Sequence, residues 1–160
     1  MVKLAGREEP LRIVGNNPAI DYRHVGFSAL PVAGVECKEI TQDEWLALVP
    51  DKSFTGRRAI GLAALRRRNF LMSGGGCEPH ILRLFEEARL ERPSYRTVKD
   101  LATIQAMVAE NLGVSVVPSI NMQAAPKGTR CLPLSPRRFR RIGLLSALNS
   151  PALPAVEASA

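Results

Sequence analysis

Residues 70–90 constrain the fold of this chain more than any other stretch. They read FLMSGGGCEPHILRLFEEARL: a short apolar run, then Ser73 and three glycines, then an amphipathic segment opened by Cys77 and Glu78. The apolar residues of that segment recur with the period of a helix and share one face: Ile81, Leu84, Phe85 and Ala88. The stretch therefore predicts a strand, a tight glycine loop and a helix in succession.

The glycine loop is a candidate anion-binding site because a helix begins directly after it. Unpaired N–H groups at a helix start point toward whatever occupies the loop, and glycines let the backbone approach a ligand closely. The loop is not a phosphate P-loop, since no Gly-Lys-Ser/Thr follows, and GGG lacks the G-x-G-x-x-G spacing of dinucleotide sites. The alternative is a plain strand-to-helix connection that needs only glycine dihedrals.

Strand and helix alternate from residue 70 to residue 117. Residues 95–98 suit a brief strand, and Asp100 is placed to N-cap a second helix. Gly113 sits where a C-cap glycine belongs, and residues 114–117 suit a buried strand. The apolar face of the second helix is formed by Leu101, Ile104, Val108 and Leu112. This alternation predicts βαβ crossovers and a parallel sheet, with ligands bound beyond the carboxyl ends of its strands, where the glycine loop lies.

Shorter elements are predicted on both sides of this middle part. Residues 41–44 (TQDE) suit a turn between two adjacent strands, and residues 59–65 suit a short helix. Apolar runs predict further strands at 11–14, 24–30, 34–40, 45–49, 129–134 and 142–148.

The net charge of +7 raises the possibility of an acidic partner. Much of it lies in residues 66–68 and 127–141, and the second segment holds six basic residues and no acid. Basic surface binds nucleic acid, whereas the more common role of such runs is a solvated face. Aromatic residues make up only 5% of the chain and form no obvious base-stacking platform.

Cysteine usage and hydropathy indicate a reduced, cytoplasmic setting. Cys37, Cys77 and Cys131 are widely spaced and form no CxxC pair. The first residues, MVKLAGREEP, contain no long apolar run, so no secretory signal is predicted. No stretch approaches the roughly 18 apolar residues of a membrane span, and we expect no membrane partner.

The residue types needed for catalysis do not assemble. Ser73 lacks the G-x-S-x-G elbow, and neither His24 nor His80 completes a triad with it. Cys77 and His80 are too few to hold a metal ion. Cys77 at a helix start is a candidate thiolate, with a small loop residue as the alternative. We therefore expect no enzyme, no metal site and no cofactor.

Taken in order, these segments resemble the effector-binding domain of LysR-type transcriptional regulators. The resemblance covers roughly residues 24–148, and its most telling part is residues 100–118. The matching segments are VGFSALPVAGVECKEITQDEWLALVP, GLAALRRRNFLMSGGGCEPHILRLFEEA, YRTVKDLATIQAMVAENLGVSVVPS and RCLPLSPRRFRRIGLL. The family implies an α/β fold like that of type 2 periplasmic binding proteins. It also implies two lobes with a small metabolite, often a carboxylate, between them.

The resemblance further implies which residues line that cleft. The glycine loop would face it from the second lobe, and the segment 98–100 would sit at the next strand end. Two asparagines after the first strand match polar positions of the first lobe, and residues 29–31 match a lobe crossing. The implied ligand-binding residues are Asn16, Asn17, Ala29, Leu30, Pro31, Ser73, Gly74, Gly75, Gly76, Cys77 and Val98.

The chain departs from the family pattern in two places. Family members carry an N-terminal winged helix-turn-helix, which is absent here, so DNA contact is expected only through a domain outside this chain. Only residues 16–24 separate the first two strands, too few for a parallel crossover, so the first lobe is predicted to be truncated.

The predicted domains are a lead-in (1–10), the effector-binding domain (11–149) and a tail (150–160). The first lobe comprises 11–33 and 119–149, and the second comprises 34–118.

These observations predict the effector-binding module of a LysR-type regulator, without intrinsic catalysis. The expected partners are a small-molecule effector and a second copy in a homo-oligomer, or a full-length relative. Two alternatives remain open: a solute-binding protein of the same fold, and a basic nucleic-acid-binding or interaction protein using residues 66–68 and 137–141.

Overall fold

A computed structural model of the chain describes residues 23–27, 35–122 and 124–147, with side chains described for 41–122 and 124–142. The predicted strand at 11–14 and the tail from 150 lie outside the described residues. The chain divides into two compact units, one formed by Met1–Gln42 with Arg140–Ala160 and the other by Asp43–Phe139. The lobe boundaries predicted from the sequence stay a prediction, since part of the first unit lies outside the described residues.

Strands and helices alternate through the described part of the chain. One 3-10 turn, Ser119–Asn121, follows the fifth strand. In chain order the elements are β1 (Arg23–Phe27), β2 (Val35–Pro50), α1 (Leu62–Arg66), β3 (Phe70–Ser73), α2 (Glu78–Glu87), β4 (Tyr95–Val98), α3 (Leu101–Ala109), β5 (Ser115–Pro118), β6 (Thr129–Pro133) and β7 (Phe139–Ala147).

Antiparallel strand pairs occur in both units. In the first unit β1 runs antiparallel to β7, with Gly26 opposite Ile142. In the second unit the last residues of β2 pair antiparallel with β5, and Trp45 lies opposite Pro118. The same part of β2 also pairs antiparallel with β6. β7 begins at Phe139, inside the basic segment, rather than at Ile142 as predicted.

The predicted parallel pairing is confirmed in the middle of the second unit. β3 and β4 run parallel, with Phe70 opposite Tyr95 and Ser73 opposite Val98. A parallel bridge joins Phe70 to Val114, just before β5. The residues from 70 to 117 thus follow the predicted order of strand, helix, strand, helix and strand.

The predicted turn at residues 41–44 is wrong, because β2 runs unbroken from Val35 to Pro50. Asp43 is only 4% exposed, and its carboxylate accepts hydrogen bonds from Ser119 Oγ at 2.6 Å and from the Ile120 N–H at 2.9 Å. Asp43, one of the polar residues that suggested a turn, is therefore paired with the segment that follows β5. The stretch contains no glycine or proline to break the strand.

The predicted apolar face of α2 is confirmed and lies in the core. Ile81, Leu84 and Phe85 are buried, and the Phe85 ring meets the Phe70 ring edge-on at 5.6 Å between centroids. This contact fixes α2 against the strand that precedes the glycine loop. Their buried core neighbours include Trp45, Ile60, Leu65, Met72 and Val116.

The end of α3 differs from the prediction in two ways. Leu112 was expected on the buried face but is 54% exposed, because the helix ends at Ala109. Asn111 adopts the left-handed conformation, with φ of 58°, that was expected of Gly113. Gly113 is required for a different reason: a Cβ there would lie 2.6 Å from the Asn69 carbonyl oxygen. The C-cap role assigned to Gly113 is therefore wrong.

Candidate functional site

The parallel register of β3 and β4 brings two chain segments together at the carboxyl ends of these strands. Ser73 and Val98, the last residues of the two strands, lie opposite each other. The Gly74 N–H then donates a hydrogen bond to the Val98 carbonyl oxygen at 2.8 Å. The glycine loop (residues 73–77) and the segment 98–100 therefore lie side by side, as the resemblance implied.

Each of the three glycines has a different structural setting. A Cβ on Gly74 would lie 3.0 Å from the Thr97 methyl carbon and 3.4 Å from the Val98 carbonyl oxygen, so the loop packs closely on β4. Gly76 has a φ of 97°, which other residues rarely adopt. Gly75 is exposed, and a Cβ there would meet only Ser73 Oγ at 3.5 Å. The close packing at Gly74 and the positive φ of Gly76 therefore favour glycine at these two positions, whereas the loop itself leaves room for a side chain at 75.

The residues on either side of the glycines hold the loop in place. Ser73 Oγ accepts a hydrogen bond from the Gly75 N–H at 3.4 Å. Cys77 is the N-cap residue of α2, and its carbonyl oxygen accepts the Ile81 N–H at 2.9 Å. The Cys77 side chain is half-buried and packs against the apolar core, which favours the structural interpretation of this residue over a reactive thiolate.

The helices α2 and α3 both begin at this edge, and each has a carboxylate in or beside its first turn. Glu78 accepts a hydrogen bond from the Tyr95 hydroxyl at 2.8 Å, and this bond raises the pKa of Tyr95. Asp100 caps α3 by accepting the Thr103 N–H at 2.7 Å. These carboxylates complement the positive ends of the two helix dipoles. The sequence did not reveal the Glu78–Tyr95 bond, because the two residues belong to different elements and match no local motif.

Two exposed residues at this edge carry a donor group that has no partner among the described residues. The Gly76 N–H has no acceptor among the described residues, and Gly76 is exposed. Lys99 is also exposed and has no ion pair within the described part of the chain. A backbone donor and an ammonium group beside an open glycine are suited to a small anion.

The structure brings together six of the predicted ligand-binding residues: Ser73, Gly74, Gly75, Gly76, Cys77 and Val98. The other five fall outside the described residues: Asn16, Asn17, Ala29, Leu30 and Pro31. Their role in binding stays a prediction.

The described residues contain no group of three or more His, Cys, Asp and Glu side chains placed to hold a metal ion. None of the helices in the described ranges is both long and apolar enough to cross a membrane.

Comparison with known proteins gives both a family match and structural matches. The model of the LysR substrate binding domain matches residues 21–159. A search of curated proteins found no match.

Among solved structures, the reduced OxyR regulatory domain from Pseudomonas aeruginosa is 25% identical, with a TM-score of 0.71, covering 89% of this chain and 71% of that one. The BenM effector binding domain with benzoate is 15% identical, with a TM-score of 0.75 and coverages of 89% and 67%. The QuiR effector binding domain with shikimate is 20% identical, with a TM-score of 0.69 and coverages of 89% and 69%. The likeness to the BenM and QuiR domains shows the fold alone. Together with the family match, these structures confirm the predicted α/β fold of the type 2 periplasmic-binding-protein class.

Proposed function

The chain belongs to the LysR substrate-binding domain family, and from this premise we propose that it senses a small carboxylate at the glycine loop. Its function is that of an effector-binding domain in a LysR-type transcriptional regulator. The effector binds at the carboxyl ends of β3 and β4, and no bond of the effector is made or broken.

One observation carries the choice of site: the hydrogen bond from the Gly74 N–H to the Val98 carbonyl oxygen. It places the exposed Gly75 and Gly76 beside Lys99, whose Cα lies 3.6 Å from the position of a Cβ built on Gly74. A ligand that meets the open face of Gly75 is therefore close to the Gly76 N–H and to the backbone of Lys99, whose long, exposed side chain can bring its ammonium group to the same ligand.

The charge of these groups selects the ligand class. A carboxylate accepts from backbone N–H groups in charge-assisted hydrogen bonds, which contribute about 1.5–3 kcal/mol each. An amide of the same shape carries no charge and forms weaker bonds. The BenM and QuiR structures hold benzoate and shikimate, which are both carboxylates. Benzoate and benzamide are therefore a matched pair of probes, with shikimate as a second carboxylate.

Thermal unfolding of the full chain with these compounds tests the proposal. A ligand at about one hundred times its Kd stabilises the folded state by about 2.7 kcal/mol. For a chain of this size, that corresponds to a rise in Tm of about 5–10 °C. We expect a rise with at least one carboxylate of a panel that contains benzoate and shikimate, and none with its amide.

Two glycine variants locate the site. Gly75→Ala adds a methyl group to the open face of the loop, where the only neighbour within 4 Å is Ser73 Oγ at 3.5 Å. Gly61→Ala is its control, because a Cβ there would meet only the Ser135 carbonyl oxygen at 3.6 Å, at the start of α1. Both variants should keep a Tm within about 2 °C of wild type. Only Gly75→Ala should lose the carboxylate-induced rise.

Two results would count against the proposal: no rise with any carboxylate of the panel, or a full rise that persists in Gly75→Ala. In the first case the loop is a strand-to-helix connection without a binding role. In the second the ligand is bound elsewhere in the chain.

The proposal includes a setting and an assembly state. The setting is the cytoplasm, where a regulator of transcription works, and the assembly is a homo-oligomer or a pair with a full-length relative. Light scattering coupled to size-exclusion chromatography measures the mass of the assembly directly. A mass equal to one chain at all concentrations would rule out self-association.

A further inference from the structure

A surface on the unit Asp43–Phe139 gathers positive charge from three separate segments of the chain. We call it the arginine surface. The loop between β2 and α1, the turn after α1 and the start of β6 supply its residues: Lys52, Arg57, Arg58, Arg67, Arg68, Lys127 and Arg130.

Hydrogen bonds and one cation–π contact join these three segments. The Arg130 guanidinium donates a hydrogen bond to the Arg57 carbonyl oxygen at 3.1 Å. The Arg57 N–H donates to the Phe54 carbonyl oxygen at 3.1 Å, and the Arg68 guanidinium lies over the Phe54 ring, 5.6 Å from its centroid. The Asp51 N–H donates to the Gly128 carbonyl oxygen at 3.0 Å, which brings the loop next to Lys127. The three segments that carry the cations therefore lie next to one another although they are distant in sequence.

The arginine surface groups seven cations with no paired carboxylate among them in the described part of the chain. Within the described residues, none of its seven cations forms an ion pair. The carboxylates on or beside these segments include Asp51, next to Lys52 in the chain, and Glu91, which is paired with Arg66. They also include the exposed Glu110, whose neighbour Ala109 lies 3.2 Å from a Cβ built on Gly128. Elsewhere in the unit, three arginines are paired with glutamates: Arg83 with Glu87, Arg92 with Glu86, and Arg137 with Glu44. Arg89, Arg96 and Lys99 form no ion pair within the described residues, but they lie on segments apart from the arginine surface.

We propose that the arginine surface binds the phosphate backbone of nucleic acid, independently of base sequence. Five of its seven cations are arginines, whose planar guanidinium groups form paired hydrogen bonds with phosphate oxygens. Grouping like charges without counter-ions disfavours the folded chain, and a line of phosphates removes that repulsion.

An acidic protein partner fits the same surface less well. Protein interfaces centre on exposed aromatic and other apolar side chains. The one aromatic residue in the arginine surface, Phe54, is half-buried beneath Arg68. The exposed large apolar residues that the structure describes all lie outside this surface: Tyr95, Leu112, Ile120 and Phe139. A polar, strongly positive surface without an apolar centre is typical of nucleic-acid contacts.

The lack of an open aromatic ring also determines how the nucleic acid is bound. Base stacking needs an exposed aromatic face, and Phe54 is covered. The contacts are therefore with phosphates, which give affinity without sequence readout. This inference does not rest on the carboxylate site, and each fails or holds independently of the other.

Fluorescence anisotropy of the full chain with a labelled DNA duplex of mixed sequence measures the binding. Contact with about four phosphates gives a slope of about −4 for log affinity against log salt concentration. Affinity should then fall on the order of 100-fold between about 50 and 200 mM salt.

A charge-matched pair of double variants locates the contact. Arg57→Gln with Arg58→Gln removes two exposed cations of the arginine surface and keeps the Arg57 carbonyl oxygen that Arg130 needs. The control is Arg89→Gln with Arg96→Gln, two exposed arginines on segments that supply nothing to the surface. The first pair should reduce the salt slope by about 2 and weaken binding about tenfold or more at low salt. The control should leave most of the affinity, and circular dichroism of both variants should match wild type.

Three results would overturn the inference. One is the absence of salt-sensitive binding to DNA. Another is an equal loss of affinity in the control variant, which would assign the binding to net charge alone. The third is a polyglutamate competitor that displaces the labelled DNA as strongly as unlabelled DNA of the same charge does. That result would point to an acidic protein partner instead.

Discussion

The Arg137 guanidinium donates two hydrogen bonds to the Glu44 carboxylate, from Nε to Oε1 at 2.7 Å and from Nη2 to Oε2 at 2.6 Å. The Glu44 side chain is only 14% exposed, whereas that of Arg137 is 63% exposed. The pair joins β2 to the segment before β7, and the Arg137 guanidinium also lies over the Phe139 ring at 5.3 Å. A bidentate pair of this kind fixes the position of one segment on the other more firmly than a single surface ion pair does.

The Glu44–Arg137 pair should make stability depend on pH. Hydrogen bonding to Arg137 lowers the pKa of Glu44 below its ordinary value. A depressed folded-state pKa stabilises the protein above the ordinary glutamate pKa, and this contribution is lost as the pH falls through the folded value. Arg137→Met should therefore lower Tm slightly near pH 7, and the difference from wild type should shrink toward about pH 3.

Glu44→Gln is the control for this effect. This variant keeps one acceptor for Arg137 but has no titrating carboxylate. The difference in Tm between Glu44→Gln and wild type should therefore shrink over the same acidic range. The difference in Tm between Arg137→Met and wild type could instead stay constant from neutral to acidic pH. That result would assign the effect of Arg137 to packing on Phe139.

Replacing Asp43 should destabilise the second unit strongly. Its buried carboxylate accepts from both Ser119 Oγ and the Ile120 N–H. Asp43→Ala leaves these donors without an acceptor, and we expect a loss of about 2–3 kcal/mol in the free energy of unfolding. Ser119→Ala removes the hydroxyl donor to Asp43 and the acceptor of the Glu44 N–H at 3.3 Å, and it leaves the Ile120 bond, so its loss should be about 1–2 kcal/mol. Urea denaturation measures both, and equal losses would show that the Ile120 bond contributes nothing.

The Asp43–Ser119 contact shows why part of the fold was not predictable. Asp43 is 76 positions from Ser119 and 77 positions from Ile120 in the chain, so no local pattern links them. Residues 41–44 have turn composition, and only the partner segment after β5 explains why they continue a strand. In contrast, the buried stripe of α2 and the Asp100 cap of α3 depend on local spacing, and both were predicted.

The candidate site was likewise predictable only where it depends on local sequence features. The rule that ligands bind beyond the carboxyl ends of parallel strands identified the glycine loop. The rule could be applied because the apolar run before GGG and the amphipathic run after it are local features of the sequence. The distinct settings of Gly74, Gly75 and Gly76 were not predictable, since they depend on the register that places Val98 opposite Ser73. That register is a property of the β3–β4 pair and not of either strand alone.

The turn between α3 and β5 tests two separate constraints: the space for a Cβ at Gly113 and the positive φ of Asn111. Gly113→Ala places a Cβ 2.6 Å from the Asn69 carbonyl oxygen and 2.9 Å from Leu71 Cγ. We expect a loss of about 1–3 kcal/mol in the free energy of unfolding, because both neighbours are held in β3 and its approach. Gly61→Ala, which meets nothing closer than 3.6 Å, is the control and should change stability by less than about 0.5 kcal/mol.

Asn111 supplies the matching test of conformation. Its φ of 58° favours glycine or asparagine. Asn111→Gly should therefore leave stability nearly unchanged, whereas Asn111→Val should cost about 1–2 kcal/mol. A neutral Gly113→Ala together with a costly Asn111→Gly would restore the C-cap role of Gly113 and contradict the geometry described above.

The start of α3 provides the last test, because its cap lies directly beside the proposed carboxylate site. Asp100 accepts the Thr103 N–H at 2.7 Å and the Thr103 hydroxyl at 2.8 Å, and these bonds lower the pKa of Asp100. The cap therefore stabilises the fold above the ordinary aspartate pKa, and its effect fades as the pH falls through the folded value. Asp100→Ala should lower Tm, and Asp100→Asn, which can still cap, should lower it less. Thermal unfolding across the acidic range measures both, and equal losses would show that Asp100 does not cap the helix in solution.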